Sequence, residues 1–228
     1  SACAAVRECR IAPLCITERA GPVIRITTGS GSVWLLTPAE ACDAEALARL
    51  GPDPLALAGA FGVPVLAAFR RIALRPGSGL GLLLCDGSGT LTLRKTAAGF
   101  SSPRFGAACP LWNAHQAFET PGRIIRQTAE TPDGVRYLCI ATQVSKGSAG
   151  FRAANPRYAL ALGCEISYAG AFVYADDLDL SNRGAFDPIG ISCRICERVK
   201  CTSRAVPPLK RKLVVDHRVR NPMPYEIE

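Results

Sequence analysis

The chain has 228 residues, 48% of them hydrophobic, 20% charged, with a formal net charge of +8 and eleven cysteines. That length and apolar content suffice for one substantial core or two modest ones without disulfides. No apolar run approaches the roughly 20 residues of a membrane span, and no signal-peptide pattern opens the chain, so a soluble, cytoplasmic protein is expected. The odd cysteine count points to reduced thiols. Because residue 1 is Ser and not Met, the sequence reads as a processed or excised piece of a longer protein.

In chain order, PVIRIT and VWLL flank GSGS and predict an early hairpin. TPAEACDAEALARL predicts a helix over 37–50, with Thr37 as N-cap, Pro38 at the first helical position and Glu40 completing a capping box. DPLALAGAFGVPVLAAFRRIAL predicts two short helices about Phe61-Gly62-Val63, an outline that serves a DNA reader or a packed helical hairpin. GLLLC and TLTLRK predict a second hairpin, with Asp86-Gly87 supplying the positive φ angles.

CPLWNAHQAF carries apolar residues at helical spacing and predicts a short helix. RIIRQTAE and VRYLCIATQV, joined by TPDG, predict a third hairpin, and RYALALG and AFVYADDL predict further strands. Cys85 and Cys139 fall inside apolar strands, where a thiol behaves as a small hydrophobe. The loop SKGSAGFRAANP, 145–156, is either a binding loop or a plain connection. The expected fold class is α+β: a mainly antiparallel sheet domain over 79–190, a helical N-terminal part over 1–78, and a metal-knotted tail over 191–228.

The tail concentrates both charge and sulfur. Residues 193–220 hold nine Lys or Arg against two acids, while residues 1–192 carry +3 and residues 221–228 carry −2. ISCRICERVKC sets Cys193, Cys196 and Cys201 at C-x2-C-x4-C. Three such thiols need a fourth ligand, which His217 would supply to zinc, and Cys164 or Cys109 to zinc or an iron–sulfur cube. Arg194, Arg198, Lys200 and Arg204 would balance an anionic centre; alternatively, the cations would grip a polyanion.

Other chemistry is weakly represented. The chain has no H-E-x-x-H, G-x-S-x-G or P-loop, and Asp176, Asp177 and Asp179 lack the glycine and distal Glu of a calcium loop. An activated cysteine of a redox or acyl-transfer enzyme would need a nearby base, and most thiols have none in sequence.

GFSSPRFGAACPLWNAHQAF, YALALGCEI, ISCRICERVKC and RAVPP occur in an order that resembles the C-terminal sensor domain of the short-chain fatty-acyl transcriptional regulators. The resemblance covers about residues 79–228, and residues 1–78 resemble a remnant of an ImmA/IrrE-type region lacking its metallopeptidase motif. It implies a non-enzymatic domain that binds coenzyme A or a short-chain acyl-CoA, carries a 4Fe-4S cluster and forms homo-oligomers. Promoter DNA would be contacted through a domain outside this chain. Carried over by position, Cys193, Cys196 and Cys201 match the clustered ligands, with Cys164 as the fourth and Cys109 in reserve. Arg104, Gly106, Trp112, Arg123 and Arg126 are the candidate ligand-binding residues, although Trp112 serves equally as core. A zinc-stapled nucleic-acid-binding protein is the alternative.

Overall fold

The computed structural model describes the backbone of residues 14–20, 23–28 and 33–36, and residues 51–228 except 76, 98–99, 104–105, 146–150, 153–154, 171, 221–222 and 224. The helix expected over 37–50 lies outside the described residues, as does most of the 145–156 loop. Contacts divide the chain into two units, residues 1–78 with 171–176, and residues 79–170 with 177–228.

The first unit holds an antiparallel sheet of β1 (Leu14–Ala20), β2 (Val23–Thr28) and β3 (Val33–Leu36), paired in that order. The hairpin β2–β3 follows its sequence pattern. Strand β1 was not anticipated, because Glu18 and Arg19 break its alternation and pairing with β2 makes the strand. Helices α1 (Pro54–Phe61) and α2 (Val65–Leu74) are found where expected. Asp53 caps α1 by accepting from the amides of Leu55 and Ala56, and Gly62, at φ 59°, ends it. The helices meet at 119° and α2 buries Phe69 and Ile72, features that both outlines share. Among the described residues no single helix is long and apolar enough to cross a membrane.

AFVYADDL does not form the expected strand. Residues Val173–Ala175 make a 3₁₀ turn in the first unit, closed by the Ala175 amide on the Phe172 carbonyl. Phe172 packs against Tyr174 with the rings tilted and their centroids 5.2 Å apart, and the Tyr174 hydroxyl donates to Asp53 at 3.2 Å. The Phe172–Tyr174 contact and the Tyr174–Asp53 bond hold this segment in the first unit as a turn, with no neighbouring strand among the described residues to pair its backbone.

The second unit is built on a six-stranded mixed sheet. Its strands are β4 (Gly81–Asp86), β5 (Leu91–Lys95), β6 (Ile125–Glu130), β7 (Arg136–Ser145), β8 (Arg157–Glu165) and β9 (Asp187–Pro188), in the order β5-β4-β8-β7-β6-β9. All neighbours are antiparallel except β6 and β9. The whole is an α+β fold. Central strands β7 and β8 read as continuous apolar runs, and Leu138, Ile140, Leu160 and Leu162 are fully buried. Phe100 lies across the paired glycines Gly81 and Gly163, where any Cβ would fall about 2 Å from its ring.

The β4–β5 turn corrects a detail. Positive φ belongs to Gly89, at 79°, and not to Asp86-Gly87. The Asp86 carboxylate accepts from the amides of Ser88 and Thr90, which keeps the turn's first half in ordinary backbone space, and a register shift follows at Leu84–Cys85.

The short helix α3 (Asn113–Gln116) sits on the sheet through a buried polar clasp. The Asn113 side-chain amide donates to the carbonyls of Ile125 and Cys139, both at 3.2 Å, and its backbone amide donates to Gln127. Gln127 in turn donates to the Leu111 carbonyl and to Asp187 on β9. One clasp therefore fixes CPLWN, β6 and β9 together. The tail follows β9 with little regular structure: a 3₁₀ turn at Cys193–Ile195 and a two-rung pairing of β10 (Leu213–Val214) with β11 (Glu226–Ile227).

Candidate metal centre and adjoining cavity

The segment Ile189-Gly190-Ile191 is laced between β6 and CPLW. The Ile189 amide donates to the Glu130 carbonyl at 3.0 Å, and the Cys109 amide donates to the Ile191 carbonyl at 3.1 Å. Trp112, 3% exposed, donates its indole N–H to the Gly190 carbonyl at 3.0 Å. These bonds carry Cys109 to the start of the C-x2-C loop. Cys109, Cys193, Cys196 and Cys201 consequently line one small, apolar cavity.

Cys164, the expected fourth ligand, is elsewhere. It lies in β8 opposite Leu138, wholly buried, and is absent from the cavity wall. Burial pushes its thiol up to about 12, and the Cys139 thiol to about 12 for the same reason. Both are packing thiols, as is Cys85. The reserve candidate, Cys109, is the one brought to the other three. His217 is exposed and lines neither this cavity nor its neighbour.

The chemistry of the nest suits an all-sulfur centre. The Gly190 amide donates to Cys109 Sγ at 3.3 Å and the Ala205 amide to Cys193 Sγ at 3.4 Å, bonds of the kind that stabilise thiolates. A Cβ on Gly190 would lie 2.8 Å from Cys196 Sγ, so glycine is what lets the backbone close over that sulfur. Burial raises the Cys109 pKa; the amides of Gly190 and Leu111 oppose that, and charge on Cys193 and Cys196 adds to it. A cation among the sulfurs would reverse the balance. As they stand, no group of three or more His, Cys, Asp or Glu side chains among the described residues is gathered closely enough to hold an ion.

Two cations face inward. Arg204, 7% exposed, donates to the Arg198 carbonyl and, at 3.5 Å, to that of Cys196. Arg198 donates to the carbonyls of Glu130 and Ile189 at 3.1 and 3.2 Å. They tie the C-x4-C loop to the sheet while lining the nest; Arg194 and Lys200 remain exposed.

A second, larger cavity of about 540 Å³ adjoins the nest. Its lining combines Val199, Met223, Tyr225 and Ile227 with Arg198, Lys200 and Arg204. Apolar walls and cations suit an anion with an apolar body. Sequence reasoning missed this site, because Met223, Tyr225 and Ile227 carry no motif and reach it only through the β10–β11 pairing.

The expected ligand-binding residues do not converge on it. Arg104 lies outside the described residues. Gly106 is exposed at φ 76°, Trp112 is core, Arg123 is exposed, and Arg126 makes a bidentate pair with Asp177. None of these four lines either cavity or a third, open one around Arg136 and Arg183.

Comparison with known proteins gives a consistent family. The model described as short-chain fatty acyl coenzyme A regulator, C-terminal, matches residues 75–225, which include the nest and most of the adjoining cavity. The chain is 50% identical over 188 residues to a propionyl-CoA carboxylase regulator of Cereibacter sphaeroides, covering 80% of this chain and 40% of that protein. It is 39% identical over 145 residues to the HTH-type transcriptional regulator RamB of Mycobacterium tuberculosis, covering 63% and 31%. The HTH-type transcriptional regulator PrpR of the same organism is 36% identical over 140 residues, covering 61% and 29%. A solved structure of a Mycobacterium tuberculosis transcriptional regulator superposes with a TM-score of 0.71 at 33% identity, covering 80% of this chain and 57% of that one. The chain spans less than half the length of these curated relatives.

Proposed function

The chain belongs to the short-chain fatty acyl coenzyme A regulator family, and on that premise we propose that it is the ligand-sensing part of a transcriptional regulator of short-chain fatty acid and propionate metabolism. In this reading it binds coenzyme A or a short-chain acyl-CoA and a 4Fe-4S cluster, without catalytic turnover. The observation that carries the reading is the convergence of Cys109, Cys193, Cys196 and Cys201 on one apolar cavity. Cys109, not Cys164, is then the fourth ligand. The cluster, when bound, supplies an anionic anchor for the tail. Around it, Gly190 and Ala205 donate to sulfur, and Arg198 and Arg204 hold the loop and offset charge. The protein would act in the cytoplasm as a homo-oligomer, contacting promoter DNA through a part beyond this chain.

The test is anaerobic purification followed by iron and sulfide analysis, visible absorption and equilibrium dialysis with CoA and propionyl-CoA. Iron, a broad sulfur-to-iron band and saturable binding without product are expected. Zinc without iron sinks the cluster, and absent CoA binding sinks the sensor. Cys196→Ser is expected to weaken CoA binding; unchanged affinity removes the link between metal and ligand.

One observation favours the zinc-stapled nucleic-acid binder as a second reading. Lys210, Arg211, Lys212, Arg218 and Arg220 are all exposed on the tail. Binding of duplex DNA by this chain that weakens steeply with salt is its signature.

A further inference from the structure

Cys193, Cys196 and Cys201 belong to the tail, whereas Cys109 reaches the nest from the CPLW turn on the other side. Within that turn Leu111 and Asn113 are fixed by Gln127, and Trp112 by the Gly190 carbonyl. Cys109 has partners of its own. Its amide donates to the Ile191 carbonyl, its sulfur accepts the Gly190 amide, and its carbonyl accepts both the Trp112 amide, at 3.0 Å, and a ring N–H of His115. Nε2 of His115 is buried and has no hydrogen-bond partner among the described residues, so the donor is Nδ1. The ring is seated under the β4–β5 turn: a Cβ on Gly89 would lie 2.6 Å from His115 Cε1, and the Gly89 carbonyl accepts the Ala108 amide at 3.4 Å. Gly89, at φ 79°, is what leaves room for the imidazole.

Resting on the assignment of Cys109 as fourth ligand above, we propose that His115 is a positioning residue for the metal centre, holding the Cys109 carbonyl so that Cys109 Sγ is aimed at the other three sulfurs. The residue after Cys109 is Pro110, which has no N–H. The peptide plane between them is therefore fixed through its carbonyl alone, and the tilt of that plane sets the direction in which the Cys109 side chain leaves the backbone. The Trp112 amide supplies one hold from within the turn; His115 supplies a second, braced against a separate hairpin. His115 lines neither the nest nor the larger cavity, so it acts through Cys109 and not as a ligand. Groups of this kind orient the atoms that bind the metal, and their loss costs about tenfold or more in affinity.

The test compares wild-type, His115→Leu and His115→Asn forms of the 228-residue chain, purified anaerobically. Leucine fills the space without a donor, and asparagine sets its amide nitrogen about where Nδ1 stands. Iron transfer to bathophenanthroline disulfonate and the electron paramagnetic resonance signal after dithionite reduction report on the loaded chain. Iodoacetamide labelling of Cys109 in the metal-free chain, read by mass spectrometry, reports on the brace itself, with buried Cys139 and Cys164 as internal controls. His115→Leu is expected to lose about tenfold in iron affinity, to alter the resonance signal, and to label Cys109 about fivefold faster while Cys139 and Cys164 stay protected. His115→Asn is expected to restore all three. Wild-type iron retention and Cys109 labelling in His115→Leu overturn the inference. So does an equal loss in both variants, which removes the hydrogen bond as cause, and so does labelling of Cys139 and Cys164 alongside Cys109, which assigns His115 to general packing. A wild-type chain that carries no iron overturns the cluster reading instead, and Cys109 labelling of the metal-free chains then decides the brace by itself.

Discussion

Cysteine has opposite surroundings in the central sheet and in the tail, and the backbone decides which. In β4, β7 and β8, Cys85, Cys139 and Cys164 sit in a ladder that already satisfies the main chain, and burial drives their pKa values upward. In the tail, two-residue strands and 3₁₀ turns bury little, and Ile195, Val199 and Leu209 stay exposed. There the sulfurs converge on one cavity from irregular backbone. The strand thiols are packed among apolar neighbours, whereas the sulfurs of Cys109 and Cys193 accept backbone N–H groups from Gly190 and Ala205.

Substitutions that enlarge the core test the sheet side most severely. Ile140→Ala, at a fully buried position on β7, is expected to cost about 2–5 kcal/mol in urea unfolding. Trp112→Phe keeps the ring but leaves the Gly190 carbonyl without its donor, an expected loss of about 1–3 kcal/mol. Because that bond joins Cys109's segment to the tail, bound metal should fall as well, which Ile140→Ala at matched stability would not produce.

Alkali separates the two regions by charge. The Cys85 thiol is pushed up to about 11, and those of Cys139 and Cys164 to about 12, from an ordinary 9.0. The unfolded chain releases these protons at lower pH than the folded one, so their contribution is complete below pH 9 and is lost as pH rises towards the folded values. The urea midpoint should decline through this window, and Cys139→Ala should flatten the decline. The smallest effect is expected at Arg126→Ala, which breaks a solvent-exposed pair with Asp177; CoA binding and the urea midpoint should both stay near wild type.

Three hairpins were legible because alternation and turn residues are local signals. Strand β1 was not, because Glu18 and Arg19 break its alternation, and the two-residue strands β9, β10 and β11 were not, since pairing with a partner elsewhere along the chain makes them. AFVYADDL misled because its aromatic residues are anchored to the first unit, a preference invisible in a window of eight. At the site, the C-x2-C-x4-C spacing is itself a local signal. The fourth cysteine depends on Trp112 reaching Gly190, 78 residues away, which no spacing rule contains. Of the candidate ligand-binding arginines, Arg126 is paired with Asp177, 51 residues on, a contact that no local pattern announces.

Iron content of anaerobically purified Cys109→Ser and Cys164→Ser chains, measured side by side with the visible spectrum, tests the assignment of the metal centre most directly. Cys109→Ser is expected to lose the cluster and Cys164→Ser to keep wild-type iron and its absorption band. Iron lost with Cys164→Ser and retained with Cys109→Ser would contradict the account.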